Sequence, residues 1–494
     1  MVQKVISLSS VARPASLSEM RAGLNQGGCS SKSGTGCGSS QGPDDMPAEV
    51  WEKVKNHPCY SEEAHHYFAR MHVAVAPACN VQCHYCNRKY DCSNESRPGV
   101  VSEKLRPEDA VRKVMAVAAK VPQLSVIGIA GPGDALANPH FTFPTFEAIA
   151  RELPHLKLCL STNGLALPDH VERIKALNVD HVTITLNAVD PAVGEKIYPW
   201  IFYNHRRWTG RDAAEILLER QMQGLEALTR AGVLVKINSV LIPGINDHHL
   251  KEVNAAVKAR GAFLHNVMPL ISDPAHGTHF GLTGQRGPTP AELKTVQDQL
   301  AGGAKLMRHC RQCRADAVGM LGEDCGGDFA LDKLPEIPTF DPEPREAYLA
   351  VVEQERAARR AADDAARRRL AVSGDASKYL IAVASKAGGR INQHFGHASE
   401  FQIWEVDSSG SRFIGHRRVE NYCQGGWGED DALESIITTL EGVTAVLCSK
   451  IGKCPQQDLA EAGIAVSDAY AQQYIETALA AWFLDRSRAH SKTA

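Results

Sequence analysis

Three cysteines, Cys79, Cys83 and Cys86, follow one another at spacings of four and three residues within a single short segment. Thiolates at this spacing can hold three irons of a [4Fe–4S] cluster and leave the fourth iron without a protein ligand. Such an open iron can chelate the amino and carboxylate groups of S-adenosylmethionine (SAM). An electron from the cluster then cleaves the sulfonium C–S bond and gives a 5′-deoxyadenosyl radical. Zinc fits less well, because it takes four ligands that usually come in CxxC pairs. The segment therefore predicts a catalytic, radical-generating iron–sulfur centre.

A second group of possible metal ligands lies outside this segment and comprises His57, Cys59, Cys92 and Cys159. Taken alone, each of these cysteines would be read as a small buried hydrophobic residue. Together, the three thiolates and the imidazole would complete the ligand shell of a second iron–sulfur cluster near the radical.

A third group is the CxxC pair formed by Cys310 and Cys313, with Cys325 beyond it. The pair alone is typical of half a structural zinc site or of a redox pair. No second CxxC follows it, and no thioredoxin-like context surrounds it. We therefore favour an incompletely ligated third cluster, to which Cys29, Cys37 or Cys325 would be a possible further ligand.

The elements that must position these residues alternate between short apolar runs and amphipathic helices over residues 47–330. Strands are predicted at 71–76, 124–130, 156–161, 181–186, 233–240 and 263–268, and helices at 107–120, after residue 141, and at 168–177, 212–231 and 247–260. Strands that are apolar on both faces and separated by helices are typical of a parallel sheet. The predicted fold class is thus α/β, a partial (β/α)6 TIM-like barrel with its chemistry at the carboxyl ends of the strands.

Several segments lie at those carboxyl ends besides the cysteine segment, which directly follows the first strand. They are residues 130–136, residues 161–164, Thr185, and Ile237 with Asn238. Each alone is more often a turn or a core residue. Because they are in register with the six strands, we expect Thr185 and Ile237 to line a cofactor channel.

The remainder of the chain divides into a tail, a linker and a second domain. Residues 1–46 are rich in Gly, Ser and Pro, which is typical of a flexible tail. Residues 331–375 contain four prolines and then a charged helix with acid-first i,i+4 pairs, which predicts a linker and a solvated spacer. Residues 376–494 predict a second, smaller α/β domain.

The overall composition excludes some classes of partner. The chain has 494 residues and a net charge of −3, so no nucleic acid and no anionic membrane would be held mainly by electrostatics. No apolar run approaches the ~18 residues that span a bilayer. The first residues do not form a secretory signal, so we expect a cytoplasmic protein whose clustered thiols serve metal binding or catalysis.

The CxxxCxxC segment after the first strand of a partial barrel resembles the signature of the radical SAM superfamily. This resemblance implies that Tyr85, just before the last cysteine, neighbours the bound adenine. It also implies that the loop carrying Gly133 and Asp134 binds the SAM amino group through its backbone. Asp134 stands where the superfamily usually has a glutamate.

Longer motifs resemble, within that superfamily, a family of nitrogenase cofactor-maturation enzymes. They are residues 57–68, 79–92, 94–99, 131–134, 161–164 and 309–319. The resemblance implies an enzyme that fuses two [4Fe–4S] substrate clusters into an [8Fe–9S–C] precursor of the iron–molybdenum cofactor. One SAM would donate a methyl group to a cluster sulfide, and a second would supply the radical that abstracts hydrogen from it.

The same resemblance assigns ligands and partners. One substrate cluster would be held by His57, Cys59, Cys92 and Cys159, and the other by Cys310 with Cys313. The partners would be iron–sulfur cluster donors, cofactor carrier or scaffold proteins, and an electron donor such as ferredoxin or flavodoxin.

The C-terminal domain resembles the NifX/NafY group of small cofactor carriers, which implies storage or handover of the precursor. His394, His397, Cys448 and Cys454 are its candidate metal ligands, and the sequence does not decide among them.

Two alternatives differ from carbide insertion. One is another radical SAM enzyme with auxiliary clusters, for sulfur insertion or peptide modification. The other is an iron–sulfur scaffold or carrier. The CxxxCxxC segment favours an enzyme, because an open iron site with a SAM channel serves no storage purpose.

Overall fold

The computed structural model describes most of the chain from Met46 onward. The described ranges are residues 46–92, 99–300, 304–371, 375–386, 389–419, 422–424, 427–428 and 430–493. The chain divides after Arg345 into two compact units. Cys29 and Cys37 lie outside the described residues.

The first unit is built on a curled sheet of seven strands in the order β10-β1-β3-β4-β5-β8-β9. These strands are β1 Ala69–His72, β3 Leu124–Ile129, β4 Lys157–Thr162, β5 His181–Thr185, β8 Leu234–Leu241, β9 Leu264–Pro269 and β10 Val318–Gly319. Neighbouring strands from β1 to β9 are parallel, while β10 runs antiparallel to β1. The six predicted strands and the predicted partial (β/α)6 barrel are confirmed, and β10 is an addition that the sequence did not predict.

The described helices of the first unit comprise six that pack on one face of this sheet, one that precedes β1, and two short ones beside the cysteine segment. They are α1 Ala48–Val54, α2 Pro107–Lys120, α3 Pro139–Glu152, α4 Val171–Ala176, α5 Pro191–Gly194, α6 Gly210–Arg230, α7 Leu250–Ala259, α8 His279–Leu282 and α9 Pro290–Gln299. Helix α2 begins with proline at its first position and with Glu108 and Asp109 in its first turn, both of which favour a helix start.

The two faces of the sheet differ in chemistry because alternate strand residues point to opposite sides. Ile184 and Ile237 belong to the apolar core that the strands share with the helices. The opposite face, called the interior face below, carries the intervening residues, among them Cys159, His181, Thr185, Lys236 and Asn238. On β4 the residues of this face are half-buried while their neighbours are buried, so the interior face borders open space.

A small three-stranded sheet lies beside the cysteine segment. It pairs β2 (Val81–Gln82) with β6 (Trp200–Tyr203), and β6 with β7 (Arg206–Thr209). The sequence did not predict this sheet, since β2 consists of two residues between Cys79 and Cys83.

The second unit has a five-stranded sheet in the order β13-β12-β11-β16-β17. Its strands are β11 Tyr379–Val383, β12 Glu400–Asp407, β13 Gly410–Arg418, β14 Cys423–Gln424, β15 Trp427–Gly428, β16 Ala445–Leu447 and β17 Ala465–Ser467, with β14 and β15 as a separate pair. Its helices are α10 Glu343–Leu370, α11 Asp430–Thr439, α12 Lys453–Glu461 and α13 Ile475–Thr493.

Helix α10 is the charged helix that the sequence presents as a solvated spacer. In the structure Ala366 and Leu370 are buried in the apolar core of the second unit. The guanidinium of Arg359 also pairs with the carboxylate of Glu476 on α13 at 2.5 Å. The helix is therefore part of the second unit. Among the described residues, no helix combines the length and the hydrophobicity needed to cross a membrane.

Candidate iron–sulfur and S-adenosylmethionine site

The cysteine segment forms a tight loop at the carboxyl end of β1. The side-chain amide of Gln82 donates to the carbonyl oxygens of Cys83 at 2.9 Å and Cys86 at 2.8 Å. The amide N–H of Cys86 also donates to the carbonyl of Cys83 at 3.1 Å, which closes a turn. These bonds hold the three cysteines in one compact stretch of chain.

The electrostatics of this loop suit a multivalent cation. Burial, and then the carboxylate of Asp134, raises the pKa of Cys79 to about 12. Burial also raises the pKa of Cys83, and the nearby Cys86 and Cys79 raise it further. Three such thiols resist joint ionisation unless a positive centre compensates their charge, as the irons of a cluster do.

No set of three His, Cys, Asp or Glu side chains in the described part of the chain converges on a single metal ion. A [4Fe–4S] cluster does not require such convergence, because each thiolate binds a different iron. The eleven cysteines with described side chains are all free thiols, and Cys79, Cys83 and Cys86 fit an iron–sulfur cluster better than one ion.

Tyr85 lies beneath the cysteine loop. Its side chain is 1% exposed. Its hydroxyl is hydrogen-bonded to the thiol of Cys83 and accepts a hydrogen bond from the Asn187 amide at 2.8 Å. The ring on which an adenine was expected is thus packed within the protein, and the residue supports a cluster thiol.

Gly133 allows the glycine-rich loop to approach the cysteine segment closely. A Cβ at this position would lie 2.0 Å from the carbonyl oxygen of Ala78, a distance that real side chains do not tolerate. Its N–H donates to the carbonyl of Ala76 at 2.6 Å. Only glycine fits this contact.

The carboxylate of Asp134 fastens loops to one another. It accepts hydrogen bonds from the N–H groups of Leu136 (2.9 Å), Ala137 (3.0 Å) and Asn163 (2.5 Å) and from the Thr162 hydroxyl (3.1 Å). Since these bonds occupy the carboxylate, the structure gives the predicted SAM ligand Asp134 a positioning role.

The loop after β4 supports the cysteine segment from the other side. The side-chain amide of Asn163 donates to Cys79 Sγ at 3.6 Å and to Asn80 Oδ1 at 2.7 Å. Gln221 on α6 donates to the carbonyls of Asn163 and Thr185 at 2.8 Å each. Asn163 lies in the predicted strand-end segment 161–164, whereas Gln221 was not among the predicted site residues.

The two predicted channel residues on β5 and β8 lie on different faces. Thr185 is on the interior face and is 3% exposed. Ile237 belongs to the core between the sheet and the helices, so its side chain points away from the predicted channel. Strand alternation instead places Asn238 on the interior face, where its Oδ1 accepts from the amide of Asn266 at 3.0 Å.

His57 and Cys159 both have His181 as a neighbour, at the amino end of β5. The rings of His57 and His181 are 4.3 Å apart, and His181 is the cross-strand partner of Cys159. The N–H of Cys59 is bonded to His57 Nδ1 at 3.2 Å. His57 is fully buried, and its Nε2 has no hydrogen-bond partner among the described residues. Burial, and then the charges of His181 and Lys236, lowers the pKa of His57, which keeps the imidazole in its neutral, ligating form.

Cys92 is bonded to a different segment from His57 and Cys59. Its N–H donates to the carbonyl of Pro132 in the glycine-rich loop at 3.0 Å. The predicted set of His57, Cys59, Cys92 and Cys159 is therefore spread between the carboxyl-end loops and the amino ends of the strands.

Cys310 and Cys313 also face the interior. Burial raises the pKa of Cys310, while the ammonium of Lys236 and a hydrogen bond with Asn266 work in the opposite direction. The thiol of Cys313 favours the charged form of the Arg70 guanidinium electrostatically.

Cys325 has a different environment from the CxxC pair. It is 4% exposed within the core between sheet and helices, and its thiol donates to the Val318 carbonyl at 3.0 Å. These contacts are those of a structural residue.

Arg70, His181 and Lys236 are residues of the site that sequence reasoning missed. Each is a charged or polar residue at an alternate position of a strand that otherwise reads as apolar. That alternation was the available signal, since a strand buried on both faces by hydrocarbon alone has no place for them.

In the second unit the two candidate histidines lie together. The rings of His394 and His397 are 4.9 Å apart, and His394 Nδ1 accepts from the N–H of Gly396 at 3.0 Å. Cys448 is buried at the end of β16, whereas Cys454 is exposed on α12.

Comparison with known proteins gives two family matches. Residues 73–256 match the radical SAM superfamily, and residues 377–484 match the family described as dinitrogenase iron–molybdenum cofactor.

Similar proteins cover nearly the whole chain. The FeMo cofactor biosynthesis protein NifB of Sinorhizobium fredii is 62% identical over 97% of this chain and 96% of that protein. The protein of the same name from Herbaspirillum seropedicae is 63% identical over 93% and 88%, and that from Azotobacter vinelandii is 57% identical over 92% of both. Among solved structures, methylornithine synthase (PylB) is similar at a TM-score of 0.34 and 12% identity, over 52% of this chain and 68% of that chain.

Proposed function

The chain belongs to the NifB family of FeMo cofactor biosynthesis proteins, which are radical SAM enzymes, and from this membership we propose its reaction. It joins two [4Fe–4S] substrate clusters with one further sulfide supplied from outside the two clusters and inserts a SAM-derived carbide, which forms the [8Fe–9S–C] precursor of the iron–molybdenum cofactor.

One observation carries this proposal: residues of the two predicted ligand sets lie beside the same two buried cations. Arg70 is near Cys59 of the first set and Cys313 of the second. Lys236 is near His57 of the first set and Cys310 of the second. An enzyme that joins two clusters needs their ligands in one chamber, whereas auxiliary clusters that only carry electrons do not need to touch.

The resident cofactors are a [4Fe–4S] cluster on Cys79, Cys83 and Cys86, and SAM. When bound, they supply the 5′-deoxyadenosyl radical and the methyl group that becomes the carbide. The residues around them act by positioning. Asn163 donates a hydrogen bond to the thiol of Cys79, and Tyr85 is bonded to that of Cys83, and such contacts orient cluster ligands and tune their basicity.

The glycine-rich loop completes the SAM side of the site. Gly133 brings its backbone against the cysteine segment, and Asp134 locks that loop to the end of β4. Because the Asp134 carboxylate already accepts these hydrogen bonds, the backbone of the loop binds the SAM amino group. Thr185 on the interior face would border the same channel.

The substrate clusters must leave after reaction, and the residues assigned to them suit temporary binding. The neutral imidazole of His57 exchanges more easily than a thiolate would. Cys59, Cys159, Cys310 and Cys313 are half-buried rather than sealed in the core. Cys92, whose N–H is bonded to Pro132 of the glycine-rich loop, would be a further ligand of the first cluster.

The second unit would store the precursor or hand it on, with His394 and His397 as its ligands. This role calls for cluster donors upstream, a carrier or scaffold protein downstream, and a ferredoxin or flavodoxin as electron donor.

The test is anaerobic reconstitution of the full chain with iron and sulfide, followed by reaction with SAM labelled with ¹³C in its methyl group. We expect three [4Fe–4S] units, release of both 5′-deoxyadenosine and S-adenosylhomocysteine, and ¹³C in the extracted eight-iron product. Cys83→Ala should abolish SAM cleavage, while Cys454→Ala, a change at an exposed cysteine outside the site, should not.

Two results would contradict the proposal. Deoxyadenosine without any S-adenosylhomocysteine would exclude the methyl transfer. A product without ¹³C would exclude SAM as the source of the carbide.

A further inference from the structure

Two buried cations on the interior face have no role in the reaction described so far. Arg70 on β1 is 1% exposed, and Lys236 on β8 is 3% exposed. Burying an ammonium or a guanidinium is costly unless negative charge accompanies it. Their positions therefore call for an explanation.

Arg70 makes both structural and electrostatic contacts. Its guanidinium donates to the carbonyls of Gly319 at 2.6 Å and Glu323 at 3.1 Å, which anchors the segment around β10. The thiol of Cys313 interacts electrostatically with it. Although burial works against its charged form, Cys313, and after it Cys59, raise the pKa of Arg70 above its ordinary value.

Lys236 is the cation that influences two other predicted ligands, His57 of the first set and Cys310 of the second. Its Nζ lies 6.0 Å from the centre of the Tyr60 ring, which itself lies 4.6 Å from the ring of His57. The ammonium also favours the thiolate of Cys310 electrostatically. Each buried cation thus interacts electrostatically with a ligand of the first set and with a ligand of the second set.

We propose that Arg70 and Lys236 are positioning residues that hold two anionic iron–sulfur clusters against each other in the interior chamber. This inference rests on the proposed function and concerns how the chain brings its two substrates together. Clusters with thiolate ligands carry negative charge, and two such anions repel strongly where the dielectric constant is low. A fixed cation at each side of their contact offsets that repulsion and sets the distance between them.

If the two cations had a purely structural role, their replacement would give different results. If Arg70 only anchored the β10 segment, its replacement would lower stability and leave the clusters unaffected. If Lys236 only packed against Tyr60, a methionine of similar length would replace it without consequence.

The experiment compares the full-length wild type with Lys236→Met, which keeps the length of the side chain and removes its charge. Each protein is titrated anaerobically with [4Fe–4S] clusters, and bound iron and sulfide are counted. The reduction potentials of the bound clusters are followed by EPR. In Lys236→Met we expect the first substrate cluster to bind as in the wild type and the second to bind at least about tenfold more weakly. The potentials should become more negative, because a neighbouring positive charge has been removed.

Three further variants control for structure. Lys236→Arg should restore binding and potentials, since the charge is kept. Arg70→Lys should keep near-normal reduction potentials, because the positive charge is kept. It should lower thermal stability, because an ammonium cannot make both guanidinium hydrogen bonds to the carbonyls of Gly319 and Glu323. Lys305→Met removes an exposed positive charge from the segment that precedes Cys310 and should change neither quantity.

Unchanged second-cluster affinity and unchanged potentials in a folded Lys236→Met protein would overturn this inference and leave the proposed function standing. A folded Lys236→Arg protein that behaves like Lys236→Met would also overturn it. A wild type that never binds a second substrate cluster would instead overturn the proposed function.

Discussion

The side-chain amide of Asn163 donates a hydrogen bond to Cys79 Sγ over 3.6 Å and so connects the end of β4 to the first cysteine of the radical site. The same amide group is bonded to Asn80 at 2.7 Å, and the backbone N–H of Asn163 is held by Asp134 at 2.5 Å. Asn163 is therefore fixed in place before any cluster binds.

Replacement of Asn163 by alanine should make the potential of the resident cluster more negative, because its thiolate loses a hydrogen-bond donor. SAM cleavage should slow by about 10- to 100-fold, the usual cost of removing a partner of a metal ligand. EPR-monitored redox titration and release of 5′-deoxyadenosine measure the two effects. Asn254→Ala is the control, since that buried amide contacts His265 on the helix side, and it should affect stability alone. Equal potentials in Asn163→Ala and wild type would contradict the expectation.

Gly133→Ala should abolish SAM binding, because its methyl group would lie 2.0 Å from the carbonyl oxygen of Ala78. The glycine-rich loop would have to move away from the cysteine segment, at a cost of roughly 1–3 kcal/mol. Equilibrium dialysis with labelled SAM and thermal unfolding check both effects. Gly327→Ala is the matched control, since a methyl group there meets nothing within 4 Å. Wild-type SAM affinity in Gly133→Ala would show that the close approach is dispensable.

The barrel and the cysteine segment could be predicted because their signals are local. Parallel strands buried on both faces read as apolar runs, and the CxxxCxxC spacing needs no tertiary information. The face to which Ile237 points could not be assigned, because both faces of β8 are buried and apolar character no longer marks the core side. The role of Asp134 was partly hidden, since its partners Thr162 and Asn163 become neighbours only when the loop after β3 meets the end of β4, whereas Leu136 and Ala137 lie in its own loop.

The stability of the protein should fall in mild acid, and His265 should account for part of the fall. His265 is fully buried between Ser239 and Asn254, and burial lowers its pKa to about 4. The unfolded chain binds this proton near pH 6.5, whereas the folded chain does not. Its contribution is thus complete above pH 6.5 and is lost as the pH falls from 6.5 towards 4, to a total of about 3 kcal/mol.

Urea unfolding of the metal-free protein between pH 8 and 4.5 tests this dependence. His265→Gln should flatten the curve below pH 6.5 by the equivalent of one proton. A curve for His265→Gln that is parallel to the wild-type curve would contradict the assignment.

The charged helix α10 offers a test of whether local charge patterns predict burial. The sequence of α10 favours a solvated helix because its acid–base pairs are at i,i+4, but Arg359 is matched with Glu476 on α13, where both side chains are largely buried. Arg359→Met would leave that carboxylate buried without its partner, so the second unit should lose about 3–5 kcal/mol of unfolding free energy. Arg367→Met removes a charge from the same helix at an exposed pair with Asp363 and should cost less than about 0.5 kcal/mol. Calorimetry of the full chain should show the difference as a lower transition temperature for Arg359→Met alone. Equal, small effects of the two changes would mean that α10 is the solvated spacer that its charge pattern suggests.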